Sequence, residues 1–184
     1  MEYFLLALII YFVYKELNQK VTMNKNGTIS NNNLAFNFDA FGYQLGMSES
    51  SNNYQSDSNG IAYGYYQFIP TTIDMISKEL NLPTPSIQDF LNNPTLQDTY
   101  YKKYASDILN YIHENMMSYI GQNITGKTNG INTTVNIYGL VAGAWLGGDG
   151  NLYRLFYTGY DANDGSTYIS DYVAKFSNLF NTSV

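Results

Sequence analysis

The chain has no cysteine. Disulfides, thiol nucleophiles and Cys-ligated metal sites are therefore excluded. It has one histidine, His113. Without a second imidazole, a His-based zinc site and a Ser–His triad have little to build on. Lys and Arg number nine against fifteen Asp and Glu, a net charge of −6. No basic stripe is available to neutralise phosphates, which argues against nucleic acid as a ligand. Charged residues are 13% of the chain and hydrophobic residues 45%, the balance of an ordered globular domain. What is abundant is tyrosine, nineteen in 184 residues. Tyrosine combines a flat apolar face with a hydroxyl, which suits sugars. A Tyr- and Asn-rich composition also follows from codon bias, and composition does not separate the two.

At this length one domain with a real core is the default. Residues 1–17 open with MEYFLLALIIYFVY. As a helix, the apolar run from Tyr3 to Tyr14 would span about 18 Å, short of the ~30 Å hydrocarbon core of a bilayer. It lacks the basic flank and small-residue cleavage site of a secretory signal. A short membrane anchor, an uncleaved export signal and a helix buried in a partner all fit. Aromatics at Tyr3, Tyr11 and Tyr14, with Lys15 placed to snorkel, favour the anchor. Residues 18–33 are polar and Asn-rich and read as a linker. The remaining residues, 34–184, are expected to form the functional domain.

Within it, Phe38, Phe41, Leu45 and Glu49 recur at helical spacing. Gly42 and Gly46 on the same helix leave room for another element. Asn59-Gly60 signals a hairpin turn and predicts a small β-hairpin around it. Pro70 opens a helix carrying Ile73, Ile76 and Leu80, and Ser86 caps a short one. A long helix is predicted from Thr95 to Gly121, a loop over 126–132, a buried helix over Val135–Leu146 stopped by Gly147-Gly148, and a closing helix over Ile169–Phe180. The fold class is α+β, mostly α-helical, with one small hairpin in the N-terminal third. The acidic loop from Asp161 to Gly165 lacks EF-hand spacing, because Gly165 falls at position five and Tyr172 at twelve. An Asx turn capping the last helix is the expectation.

Glu49 stands at the end of an otherwise apolar helix face. Burial without a cationic partner disfavours the ionised form and raises a carboxyl pKa. A Glu kept protonated near neutral pH can act as a general acid. A solvated Glu at a helix end is the plainer reading of position alone.

The residues that follow carry more. Glu49-Ser50, Tyr54 and Gly60-Ile-Ala-Tyr-Gly-Tyr-Tyr-Gln-Phe68, with Pro70-Thr71-Thr72, resemble the lytic transglycosylase branch of the lysozyme-like superfamily. Downstream, Ala142-Gly-Ala-Trp-Leu-Gly-Gly148, Asp161, Asp164-Gly-Ser166, Tyr172 and Lys175-Phe176 resemble the tail of phage-type peptidoglycan-lytic domains. The resemblance spans about Leu34 to Phe180. It implies a lysozyme-like fold with a glycan cleft between a hairpin-bearing lobe and a helical lobe, acting on peptidoglycan without a metal or other cofactor. It implies Glu49 as the single acid/base, Gln67 as a sugar contact, and Tyr54, Tyr66, Trp145 and Ser50 as further substrate-binding candidates. In a strand, Tyr65 and Gln67 would share one face and Tyr66 and Phe68 the other, pointing Gln67 away from the core. The aromatics equally suit plain core packing.

Two alternatives stay open. A hydrolytic lysozyme would need a second carboxylate to activate water, and Asp57 is the candidate. A non-catalytic glycan-binding or structural module would keep the fold without the chemistry. The expected setting is a membrane-anchored protein of a virion or cell envelope, with other virion proteins as further partners, its domain facing peptidoglycan.

Overall fold

The computed structural model describes residues 36–181. The hydrophobic segment 1–17 and the linker 18–33 lie outside the described residues. The described chain is mostly helical with one small antiparallel sheet. Its elements are α1 (Phe38–Ser50), α2 (Pro70–Glu79), α3 (Ile87–Leu91), α4 (Pro94–Asn115), a 3₁₀ turn (Met117–Tyr119), β1 (Asn123–Thr125), β2 (Asn132–Thr134), α5 (Ile137–Gly147), α6 (Asp149–Thr158) and α7 (Ile169–Leu179). They group into two compact units that divide inside α4, after Tyr104, with Phe36 belonging to the second.

In the first unit, α1 starts at Asn37, whose side chain accepts from the Ala40 amide at 3.0 Å, an N-cap bond. It buries Phe41 and Leu45 completely. Its C-terminus turns out through two left-handed residues, Ser51 (φ 56°) and Asn52 (φ 61°). The Asn52 amide closes on the Gly46 carbonyl at 3.0 Å, which also accepts from the Ser51 amide, as helix ends closed by left-handed residues do. The two helix glycines do admit close neighbours. A Cβ on Gly46 would lie 1.7 Å from the Tyr65 ring, and one on Gly42 would lie 2.9 Å from the Tyr101 ring. Pro70 opens α2, which buries Ile73 and Ile76, and the Ser86 hydroxyl caps α3 at the Asp89 amide.

The hairpin expected around Asn59-Gly60 is not a strand pair. Asp57, Tyr63 and Phe68 make single antiparallel bridges, Asp57 to Tyr63 and Tyr63 to Phe68. Positive φ at Asn59 (54°), Gly60 (80°), Gly64 (79°) and Gln67 (53°) folds the chain back repeatedly, leaving no run long enough to pair. Tyr63, Tyr65, Tyr66 and Phe68 are all buried, so the expected alternation of faces is absent. The regular sheet lies in the second unit, where β1 pairs with β2 in the register Asn123 to Thr134 and Thr125 to Asn132. The loop predicted over 126–132 is the turn of that hairpin. The long helix also ends earlier than predicted, at Asn115, and Tyr119 sits in the 3₁₀ turn instead.

The second unit is built around α5, buried at Ile137 and from Gly139 to Ala144. Gly139, Gly143 and Gly147 recur every four residues along it, and α7 packs on that stripe. A Cβ on Gly139 would lie 1.9 Å from Ser177 Oγ and 2.6 Å from the Val173 carbonyl; one on Gly147 would lie 2.2 Å from Ile169 Cδ1. Helix α7 buries Ile169, Tyr172, Val173 and Phe176, the face predicted. The acidic loop behaves as a turn and cap. Asp164 Oδ1 accepts from the Ser166 amide at 2.9 Å and the Thr167 amide at 2.8 Å. Asp161 accepts from the Ser170 amide, in the first turn of α7, at 3.1 Å. Among the described residues no group of His, Cys, Asp or Glu could hold a metal ion, and no helix is long and apolar enough to cross a membrane.

Candidate functional site

Glu49 is half-buried in the last turn of α1, below the buried Phe41 and Leu45. Ser50 follows it and acts as a pin. Its hydroxyl donates to the Tyr65 carbonyl at 2.8 Å and accepts from the Asn53 amide at 3.0 Å. Gly46, one turn earlier, supplies the space in which the Tyr65 ring lies. The Glu49-Ser50 turn is thus bonded to the Gly60–Phe68 segment, across a sequence separation of 15. Asn52 Oδ1, just beyond this turn, is buried with no protein donor. Buried acceptors are rarely left so in a packed core.

A second residue completes the clamp, and sequence reasoning missed it. Gln97 on α4 is fully buried. Its Oε1 accepts from the Tyr65 amide at 2.8 Å, and its Nε2 donates to the carbonyls of Tyr54 at 3.0 Å and Phe90 at 2.9 Å. Both backbone polar groups of Tyr65 are therefore held by side chains, Ser50 on one and Gln97 on the other. Gly64 makes this approach feasible, since a Cβ there would lie 2.2 Å from Gln97 Oε1 at a φ of +79°.

The structure brings Tyr54 and Tyr66 together on another missed residue, Asp98. Both hydroxyls donate to Asp98 Oδ1, at 2.8 Å and 2.9 Å. Burial pushes the Asp98 carboxyl above its ordinary value, while the two tyrosine hydrogen bonds and the Lys102 charge oppose that rise. Burial and the adjacent Asp98 push both tyrosine hydroxyls far up, so they stay protonated donors. Asp39 ion-pairs with the nearly buried Lys102 at 3.2 Å. These groups line a cavity of about 250 Å³ with Tyr43, Tyr65 and Tyr101.

Gln67 departs from its predicted setting. It has a φ of 53° and sits in a turn, not on a strand face. Its Nε2 donates to the Gly64 carbonyl at 2.8 Å, and its Oε1 accepts from the Ser58 hydroxyl. A second N–H and a second lone pair remain on the amide. Asp57 is exposed, and its Oδ1 accepts from the Gly60 amide at 2.7 Å. That bond closes the local turn, an ordinary structural use of an aspartate there. Trp145 is half-buried near the end of α5 in the second unit. No family model, no curated protein and no solved structure matches the chain.

Proposed function

We propose that the chain is a peptidoglycan lytic transglycosylase of lysozyme-like fold with Glu49 as its single acid/base. The observation that carries the reading is the Ser50–Tyr65 hydrogen bond. It joins the two halves of the motif, the acid turn and the Gly60–Phe68 block, as a site built around Glu49 needs. Glu49 itself is half-buried in the last turn of α1, on the helix that buries Phe41 and Leu45.

In this reading Glu49 protonates the glycosidic oxygen between N-acetylmuramic acid and N-acetylglucosamine. The departing sugar oxygen takes that proton, and an oxocarbenium-like centre develops at C1. The 2-acetamido group of the substrate assists. The ionised Glu49 then removes the proton from the 6-hydroxyl of the same muramic acid, and that oxygen bonds to C1. The product is a 1,6-anhydro sugar, and the carboxyl ends protonated again. Gln67, through its remaining N–H, contacts the sugar. Tyr54 offers a half-buried ring to a subsite. Ser50 and Tyr66, occupied by Tyr65 and Asp98, shape the walls. The hydrogen bond that Asp57 Oδ1 accepts from the Gly60 amide favours this route over a hydrolysis that needs a free second carboxylate. The segment 1–17 tethers the domain in a membrane, and the setting is a virion-associated enzyme that opens the cell wall.

The test is solubilisation of purified sacculi by the wild type and by Glu49→Gln. The variant should release no soluble fragments while melting within about 1 kcal/mol of the wild type. Undiminished release would remove Glu49 from this role.

A further inference from the structure

The cavity beside Asp98 is more specialised than a packing defect. Its wall is a run of rings: Tyr54 to Tyr65 at 4.4 Å, Tyr65 to Tyr66 at 4.7 Å and Tyr66 to Tyr101 at 4.4 Å between centroids. Tyr43 stands at the rim, 56% exposed. Two carboxylates and one ammonium line it, a net charge of −1 from Asp39, Asp98 and Lys102. Lys102 is drawn to Asp39 at 3.2 Å. Both tyrosine hydroxyls fall on Asp98 Oδ1, and Oδ2 accepts no hydrogen bond among the described residues. The volume, about 250 Å³, is below the ~300–1,000 Å³ of pockets that enclose whole drug-sized ligands. It suits one side chain or headgroup rather than a disaccharide.

We propose that this cavity binds a primary ammonium group carried on an aliphatic chain. A half-buried carboxylate with an open oxygen supplies the charge-assisted hydrogen bond. The aromatic wall supplies cation–π attraction and cover for the methylenes. The upward push of burial on the Asp98 carboxyl is what an incoming cation relieves. Lys102 pairs with Asp39 at 3.2 Å and its charge also reaches Asp98, but it makes no hydrogen bond to Asp98, whose Oδ2 is the acceptor offered to the ligand. The natural carrier is the side-chain amine of a diamino acid in a peptidoglycan peptide stem, a statement that rests on the reading proposed above.

The test is calorimetric titration of n-butylammonium chloride into the full chain at fixed ionic strength, with butan-1-ol as the neutral isostere. Saturable binding of the ammonium alone is expected. Asp98→Asn should weaken it on the order of tenfold or more, and Tyr43→Ala, at an exposed ring, severalfold. No saturable binding, equal binding of butanol, or unchanged affinity in Tyr43→Ala overturns the site. Tyr43→Ala decides the matter if Asp98→Asn does not fold. The carrier is read separately, by binding of the Glu49→Gln chain to sacculi before and after N-acetylation of their free amines. Weaker binding after acetylation supports the stem amine. Equal binding overturns that carrier, even if the chain proves to cut nothing.

Discussion

Replacing Gln97 with Leu tests whether the clamp on Tyr65 holds the site together. The side chain is fully buried and makes three strong backbone contacts: it accepts from Tyr65 N and donates to the carbonyls of Tyr54 and Phe90, all within 3.0 Å. Leucine fills similar space and returns none of these bonds. A buried backbone group left without its partner costs about 1–3 kcal/mol. The Tyr65 amide is buried and loses its acceptor, while the Phe90 carbonyl keeps the Asn93 amide at 3.1 Å and the Tyr54 carbonyl is partly solvated, so these two are discounted. The loss should be about 1–3 kcal/mol, a sizeable share of the ~5–15 kcal/mol that stabilises an ordinary domain. Urea unfolding followed by circular dichroism would measure it, as a lower midpoint at unchanged slope. A loss below about 1 kcal/mol would refute the reasoning, because Tyr65 would then need no support from α4.

Other predictions rest on separate contacts. Gly139→Ala places a methyl against Ser177 Oγ and the Val173 carbonyl. It should cost at least the ~1–3 kcal/mol of an overpacked core, read as a fall in melting temperature; a neutral result would mean α5 and α7 separate easily. Asp171 accepts from the Thr128 amide at 2.8 Å, the Thr128 hydroxyl at 2.6 Å and the Asn129 amide at 3.1 Å. Burial alone would raise its carboxyl, but these hydrogen bonds hold it below the ordinary value. A depressed folded-state pKa gives stability that is present above the unfolded value, ~3.9, and lost as pH falls through the folded one. The stability gap between wild type and Asp171→Asn should therefore close as pH drops below about 4; a gap independent of pH in urea unfolding would contradict it.

Much of the helical frame was legible because its signals are local. Asn37, Pro70 and Ser86 sit where helix starts require them, and the apolar run of α5 needs a buried setting whatever surrounds it. The sheet was missed because β1 and β2 are three residues each with a single aliphatic side chain between them, too little for a period-2 signal. The Asn59-Gly60 turn signal was real but closes single bridges, because further left-handed residues follow it. Gln97 and Asp98 were invisible for another reason. On an amphipathic helix they read as solvated polar residues, and only tertiary packing against Tyr54, Tyr65 and Tyr66 makes them buried partners. Glu49 and Ser50 stood out through the motif, whereas the work of Ser50 as a pin on Tyr65 needed coordinates.

The most direct test of the central claim is mass spectrometry of the muropeptides released from purified sacculi by the chain. The account predicts fragments ending in 1,6-anhydro-N-acetylmuramic acid, formed without water. Reducing-end fragments, heavier by one water, would contradict it and turn attention to Asp57. Intact sacculi with bound protein would contradict the catalytic claim altogether.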